Sequence, residues 1–233
     1  MKKCLSNFDL KLIALITMTI DHIGVVFGTP FYYALRIVGR ISFPIFAFLL
    51  TEGYLHTKKF SRYLLRLVVL AIISEVIYDY VFYDSFFYLE ANNVFFTLAL
   101  GLVTLKLLDI SKKTITKYVQ NKFDYYIALS FMTTIILILM GLMATIFHVS
   151  YGMLGILVIS FFYLFKGKPV VLVLAILVAT LLLAEPIQLF SLLSFLCLYF
   201  YNQKLGKQSK FFFYLYYPAH ILVLGIIKLL LSM

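Results

Sequence analysis

Of 233 residues, 64% are hydrophobic and 13% charged, against about 45–50% apolar and about 25% charged in a soluble domain. That composition excludes an ordinary water-soluble enzyme and places the chain among membrane proteins. The net charge of +10 does not indicate nucleic acid, because the basic residues fall in short connections between apolar runs, the pattern of membrane topology.

The basic start, Lys2-Lys3, leads into an apolar stretch that runs on to Asp21-His22 with no small-residue cleavage pattern. It is therefore expected to stay as the first span rather than be removed as a signal peptide. A helix needs about 20 mostly apolar residues to cross the bilayer. On that scale nine spans are expected, near Leu10–Phe27, Phe31–Leu55, Tyr63–Phe82, Val94–Leu108, Tyr125–Phe147, Tyr151–Phe165, Val170–Ala184, Ile187–Phe200 and Phe211–Leu231. The connections alternate in charge. Lys2, Lys3 and Lys11 precede or open the first span, and Lys58, Lys59 and Arg62 follow the second. Lys112, Lys113, Lys117 and Lys122 follow the fourth, Lys166 and Lys168 the sixth, and Lys204, Lys207 and Lys210 the eighth. The intervening connections carry no Lys or Arg. The positive-inside rule then predicts a cytoplasmic N-terminus and an external C-terminus. Keeping that alternation requires a break at Glu185-Pro186, where proline disfavours helix. The expected fold is all-α: one polytopic transmembrane helical bundle, residues 1–233 forming a single integral membrane domain. Cys4 and Cys197 give neither a disulfide framework nor a zinc-ligand spacing, and no metal is expected.

Ionisable residues inside apolar spans are costly and face the bundle interior. At about 1.5 Å per residue, Asp21, Arg40, Glu75 and His220 fall near one plane, with Arg36 and Asp79 toward the outside. Arg36 and Arg40 share one helix face, as do Glu75 and Asp79, each pair being four apart. These four are open to a bland reading, mutual neutralisation that holds helices together. Asp21-His22 places a carboxylate beside the usual general base. Either Asp21 orients His22, or it pairs with Arg36 or Arg40. At the cytoplasmic edge, Glu52, His56, Lys58, Lys59, Arg62 and Arg66 cluster around the second connection. They read as topology signal and lipid-headgroup contact, or as a docking site for a phosphorylated ligand. Tyr32, Tyr33, Tyr83, Tyr88, Tyr125, Tyr126, Tyr216 and Tyr217 suit interfacial aromatic belts.

The segments Leu10-Lys11-Leu12-Ile13-Ala14 and Met18-Thr19-Ile20-Asp21-His22-Ile23-Gly24 resemble the first span of the TraX family. Arg36-Ile37-Val38-Gly39-Arg40-Ile41-Ser42-Phe43-Pro44 and Thr51-Glu52-Gly53-Tyr54 resemble its second. Ser74-Glu75, Asn93-Val94-Phe95-Phe96-Thr97-Leu98 and the closing Tyr216-Tyr217-Pro218-Ala219-His220 continue the match. Val76-Ile77-Tyr78-Asp79 departs from the family's Leu-Pro-Phe-Asp. The resemblance implies a bacterial plasma-membrane acyltransferase, most simply one moving acetyl from acetyl-CoA or another acyl-CoA to a peptide or glycan acceptor. It implies His22 as base or acyl carrier, Asp21 as its orienter, Arg40 or Arg36 on the oxyanion, His220 as a second acid or base, and Glu75 and Asp79 holding the arginines. Lys59, Arg62 and Arg66 would hold the CoA phosphates. A proton-coupled transporter or flippase and a non-catalytic pilus scaffold are the alternatives. No internal repeat supports the transporter.

Overall fold

The computed structural model describes residues 3–207 and 210–231. Those residues are almost entirely helical, with two isolated β-bridges and no strand among them. Helix α1 spans Asn7–Phe27, α2 Tyr32–Gly39, α3 Ser42–His56, α4 Phe60–Tyr83, α5 Val94–Tyr118 and α6 Lys122–Ile146. Then come α7 Gly152–Leu164, α8 Pro169–Leu183, a 3₁₀ segment Pro186–Leu193 running into α9 Ser194–Tyr199, and α10 Lys210–Leu231.

Local chemistry sets the helix ends. Ser6 and Asp9 form a capping box: the Asp9 amide donates to Ser6 Oγ at 3.3 Å and the Ser6 amide to Asp9 Oδ2 at 2.8 Å. Gly28, at φ 53°, closes α1 in the left-handed region that glycine tolerates. Asn93 and Asn121 cap α5 and α6 by accepting from the Phe95 and Phe123 amides, each at 2.9 Å. Pro44 explains the break between α2 and α3. It has no amide hydrogen for the Arg40 carbonyl and its ring crowds that carbonyl. The chain tightens there, the Arg40 amide reaching both Arg36 O and Ile37 O, and the Ile41 amide reaching Val38 O at 3.3 Å.

Among the described residues, five helical stretches are long and apolar enough to cross a membrane: Asn7–Phe27, Tyr32–His56 (α2 and α3 together), Val94–Tyr118, Lys122–Ile146 and Phe212–Leu231. Helix α4 has 24 residues but carries Arg62, Arg66, Glu75 and Asp79. Helices α7 and α8 and the Pro186–Tyr199 stretch are apolar but shorter, 13 and 15 residues for the first two. The expected fourth span ends too early. Helix α5 continues past Leu108 to Tyr118, so Lys112, Lys113 and Lys117 lie on helix rather than in a connection. Lysine is a good helix former, and Lys113 pairs with Asp109 at 2.8 Å one turn back. The break at Glu185-Pro186 is where the sequence places it.

Helix α3 is central, packing on α1, α5 and α7, while α10 lies against α1 and α4. The main core joins Phe43, Ala47 and Leu50 of α3 with Leu98, Leu102 and Leu105 of α5 and Val158, Ile159 and Phe162 of α7. Helix α6 sits at the edge, burying only Met140, Gly141 and Ala144, as expected of a helix facing lipid. At the lysine-rich end, residues 200–205 clasp the N-terminal strand-like segment: the Leu5 amide donates to Phe200 O and the Asn202 amide to Leu5 O.

Candidate functional site

The polar layer forms where α1, α2, α10 and the 3₁₀ segment converge. Asp21 does not turn to His22. Its two oxygens take one arginine each, Arg36 Nη1 on Oδ2 at 2.6 Å and Arg40 Nη2 on Oδ1 at 2.7 Å. Arg40 is held further, Nη1 donating to Gln188 Oε1 at 3.1 Å and Nε to the Arg36 carbonyl at 3.3 Å. The approach of α2 to α1 depends on Gly39. A methyl group there would lie 2.1 Å from Asp21 Oδ1, well inside contact distance.

His22 is held instead by His220. The two rings lie edge to edge, 5° from parallel, with His22 Nδ1 2.8 Å from His220 Nε2. His220 Nδ1 lies 2.9 Å from the Tyr216 carbonyl. A carbonyl only accepts, so Nδ1 of His220 carries hydrogen. In the neutral pair Nε2 of His220 is then an acceptor, and His22 Nδ1 must donate to it. The assignment follows from the hydrogen-bond network. It leaves Nε2 of His22 with its lone pair and without a partner among the described residues. Phe82 and Tyr217 pack edge-on against the His22 ring, at 5.2 and 6.2 Å between centroids.

His22, Asp21, Arg36 and Arg40 all line a cavity of about 640 Å³. Its walls also take Tyr83 at the end of α4, Ala91 from the α4–α5 connection, His148 to Tyr151 from the α6–α7 connection, Ala184 and Glu185 before the 3₁₀ segment, and Ile187 and Gln188 within it. These are the connections free of Lys and Arg, so the cavity belongs to the lysine-poor end. The polar layer is accordingly off-centre. Counting residues to the helix ends, His22, Arg40, Glu75 and His220 lie about 8–16 Å from the lysine-poor side.

Glu75 and Asp79, expected to hold the arginines, bind the cavity rim. Glu75 Oε2 accepts from the Asn93 amide at 3.0 Å and from Asn93 Nδ2. Asp79 Oδ2 accepts from the Tyr88 amide at 2.9 Å. Among the described residues neither is ion-paired with Arg36 or Arg40. Both lie farther round α4, on the side that meets the 84–93 connection. That connection is tied to the next: the Asn92 amide donates to His148 O at 2.8 Å and the Ser150 amide to Asn92 O at 3.0 Å.

Lys59, Arg62 and Arg66 are exposed at the opposite end. Arg66 Nε bonds the Arg62 carbonyl at 3.0 Å. Twelve positions of α4 separate Arg66 from Tyr78 in the cavity wall, about 18 Å of helix. Glu52 pairs with Lys166 at 2.8 Å.

Sequence reasoning missed Gln188, a single amide in an apolar run. It missed Tyr151, held at φ 67°, where bulky residues are rare, and stacked on Phe43 at 3.9 Å. Tyr217 is not an interfacial residue but is 4% exposed, and Tyr216 meets Thr19 through their hydroxyls at 2.9 Å.

A family profile described as "TraX protein" matches residues 6–228. The chain is similar to a protein of Dichelobacter nodosus named "Probable fimbrial assembly protein FimC, serogroup H1", with 31% identity over 253 aligned positions, 97% of each chain. No solved structure matches.

Proposed function

Since the chain belongs to the TraX family, we propose that it is a membrane-embedded acyltransferase of a fimbrial or pilus assembly system, moving an acyl group, most simply acetyl, onto an amine or hydroxyl. The supporting observation is His22, a residue of the cavity wall whose Nε2 has no partner among the described residues and whose ring is fixed by the chain His22–His220–Tyr216 carbonyl. This is the arrangement a general base needs: a free acceptor nitrogen and a partner that fixes the ring's tautomer and angle. His220 takes the orienting role expected of Asp21. Asp21 and Arg40, with Gln188, fix the wall beside it.

In this reading His22 Nε2 takes the proton of the acceptor nucleophile as it attacks the acyl carbonyl, the C–S bond breaks, and the CoA thiolate leaves with that proton as free CoA; alternatively His22 Nε2 displaces the CoA thiolate and holds the acyl group until the acceptor displaces the imidazole. The donor is an acyl-CoA, whose phosphates meet Lys59, Arg62 and Arg66 at the lysine-rich end. Its thioester must then cross about 18 Å of bundle, so transfer needs a state in which the helices part from that side. Nine crossings with the lysine-rich end in the bacterial cytoplasm put the cavity on the outer side, where a fimbrial subunit or a surface glycan is found.

The test is transfer from labelled acetyl-CoA to fimbrial subunits in membranes. His22→Ala is expected to lower it by about 10²–10⁴-fold while the protein stays inserted. Near-normal transfer in His22→Ala overturns the assignment. The transporter alternative predicts proton movement in liposomes without acyl transfer.

A further inference from the structure

The two arginines on Asp21 are not equivalent. Arg40 is 8% exposed, and all three of its guanidinium nitrogens have a partner: Asp21, Gln188 and the Arg36 carbonyl. Among the described residues Arg36 bonds only through Nη1, to Asp21. A guanidinium has five N–H donors in a planar fork, so most of Arg36's fork is unused. Its side chain is 24% exposed. It lines both the main cavity and an adjoining one of about 360 Å³, shared with Tyr33, Glu185 and Pro186. Tyr32 lies below it, 5.9 Å from ring centroid to guanidinium carbon, limiting the directions the fork can take.

Charge adds to this. Two arginines share one carboxylate, leaving the inner cluster with one positive charge in excess. Glu185 stands at the rim but forms no ion pair among the described residues. A cation held in a low-dielectric recess calls for a counter-charge, and an unused guanidinium fork matches carboxylate or phosphate oxygens.

We propose that Arg36 is the anchor for an anionic oxygen group, carboxylate or phosphate, on the molecule that enters the cavity. The CoA phosphates do not supply it in the reading above, since they belong at the opposite end. The proposal rests on that reading only in naming this molecule as the acyl acceptor. Arg36 and His22 line the same cavity, with Asp21, adjacent to His22 in the chain, bonded to Arg36. The nucleophile and the anion therefore meet the walls of one cavity of about 640 Å³. The class selected is a small anionic head beside an amine or hydroxyl, with apolar or aromatic surface to meet Phe43, Phe46 and Phe82.

Binding can be measured without any acyl donor, so this result is independent of whether His22 catalyses. The probes are phenylphosphate and phenylacetate, with neutral phenylacetamide as control, titrated calorimetrically against the full chain in phosphatidylcholine nanodiscs. Both anions are expected to bind, and the amide at least tenfold more weakly, as for loss of a charge-assisted bond. Arg36→Gln should weaken anion binding by about tenfold or more. Glu185→Gln, which breaks no bond seen here, should strengthen it about two- to fivefold by removing a repelling charge at the rim. Repeating the titration in phosphatidylglycerol discs identifies the source. Competition by that lipid in the parent, lost in Arg36→Gln, makes the anion a headgroup phosphate. Unchanged affinity makes it a soluble acceptor's own group. Equal binding of amide and anion, or weakening by Glu185→Gln, overturns the proposal even if Arg36→Gln fails to fold.

Discussion

At the scale of single residues, His220 is informative because its two nitrogens have different partners. Nδ1 donates to a backbone carbonyl that cannot change protonation, so Nε2 is committed to receiving the His22 hydrogen. His220→Ala removes the orienting partner but leaves His22 in place. It is expected to reduce kcat by about tenfold to a hundredfold with little change in KM for acceptor, less than the His22→Ala loss, because general-base removal itself costs about 10²–10⁴. His220→Gln, which can still accept from His22 through its amide oxygen, should recover part of the loss. Equal kcat loss in both variants would show His220 to be a reacting group rather than a positioning one. The sequence made His22, His220, Arg36 and Arg40 legible, since ionisable groups in apolar runs stand out. It left Asp21 open between His22 and the two arginines, and did not show the His22–His220 pair. Asp21 is next to His22 in the chain, but adjacent helical residues point about 100° apart, and the carboxylate swings to α2. Gln188 carries no charge and drew no attention.

At the scale of elements, the α2–α3 break places Arg40 where it reaches both Asp21 and Gln188. Pro44→Ala supplies the missing amide for the Arg40 carbonyl and favours one straight helix. Thermal stability is expected to hold, since Pro44 sits in the first turn of α3, where proline is tolerated and its loss relieves little. Acyl transfer is expected to fall by about tenfold or more, because a small displacement of a positioning group is expensive. Turnover at the parent level in a stable Pro44→Ala protein would show that the break is incidental. Gly39→Ala tests the opposite dependence. A methyl group 2.1 Å from Asp21 Oδ1 forces α1 and α2 apart, and the unfolding midpoint should drop, with a cost of about 1–3 kcal/mol for overpacking. Helix existence and order were readable from hydropathy, and so was the Glu185-Pro186 boundary. The extension of α5 to Tyr118 was not, because a hydropathy window ends where lysines begin although the backbone hydrogen bonds continue.

At the scale of the molecule, the site opens among the connections that lack Lys and Arg, while Lys59, Arg62 and Arg66 lie at the other end. Charge alternation alone gave that polarity. The placement of the cavity needed the loops, whose interlocked bonds through Asn92 and Asn93 have no hydropathic signature. Orientation can be checked with thiols. Cys4 is free and exposed near the lysine-rich end, and Phe87 is 81% exposed in the α4–α5 connection. In intact cells an impermeant maleimide should label Phe87→Cys and leave Cys4 unmodified until the cells are opened. Labelling of Cys4 in intact cells would reverse the assigned sidedness and put the cavity in the cytoplasm.

The carboxylate shared between Arg36 and Arg40 also constrains how such a protein can drift. Losing Asp21 alone leaves buried Arg40 and half-buried Arg36 without their shared counter-charge, and losing Arg40 alone leaves Gln188 without its donor, so each single step is costly. Breaking one side of a buried pair typically costs about 3–5 kcal/mol. A paired change such as Asp21→Asn with Arg40→Gln should be better tolerated than Asp21→Asn by itself, a sign of epistasis that unfolding midpoints of the two variants would reveal.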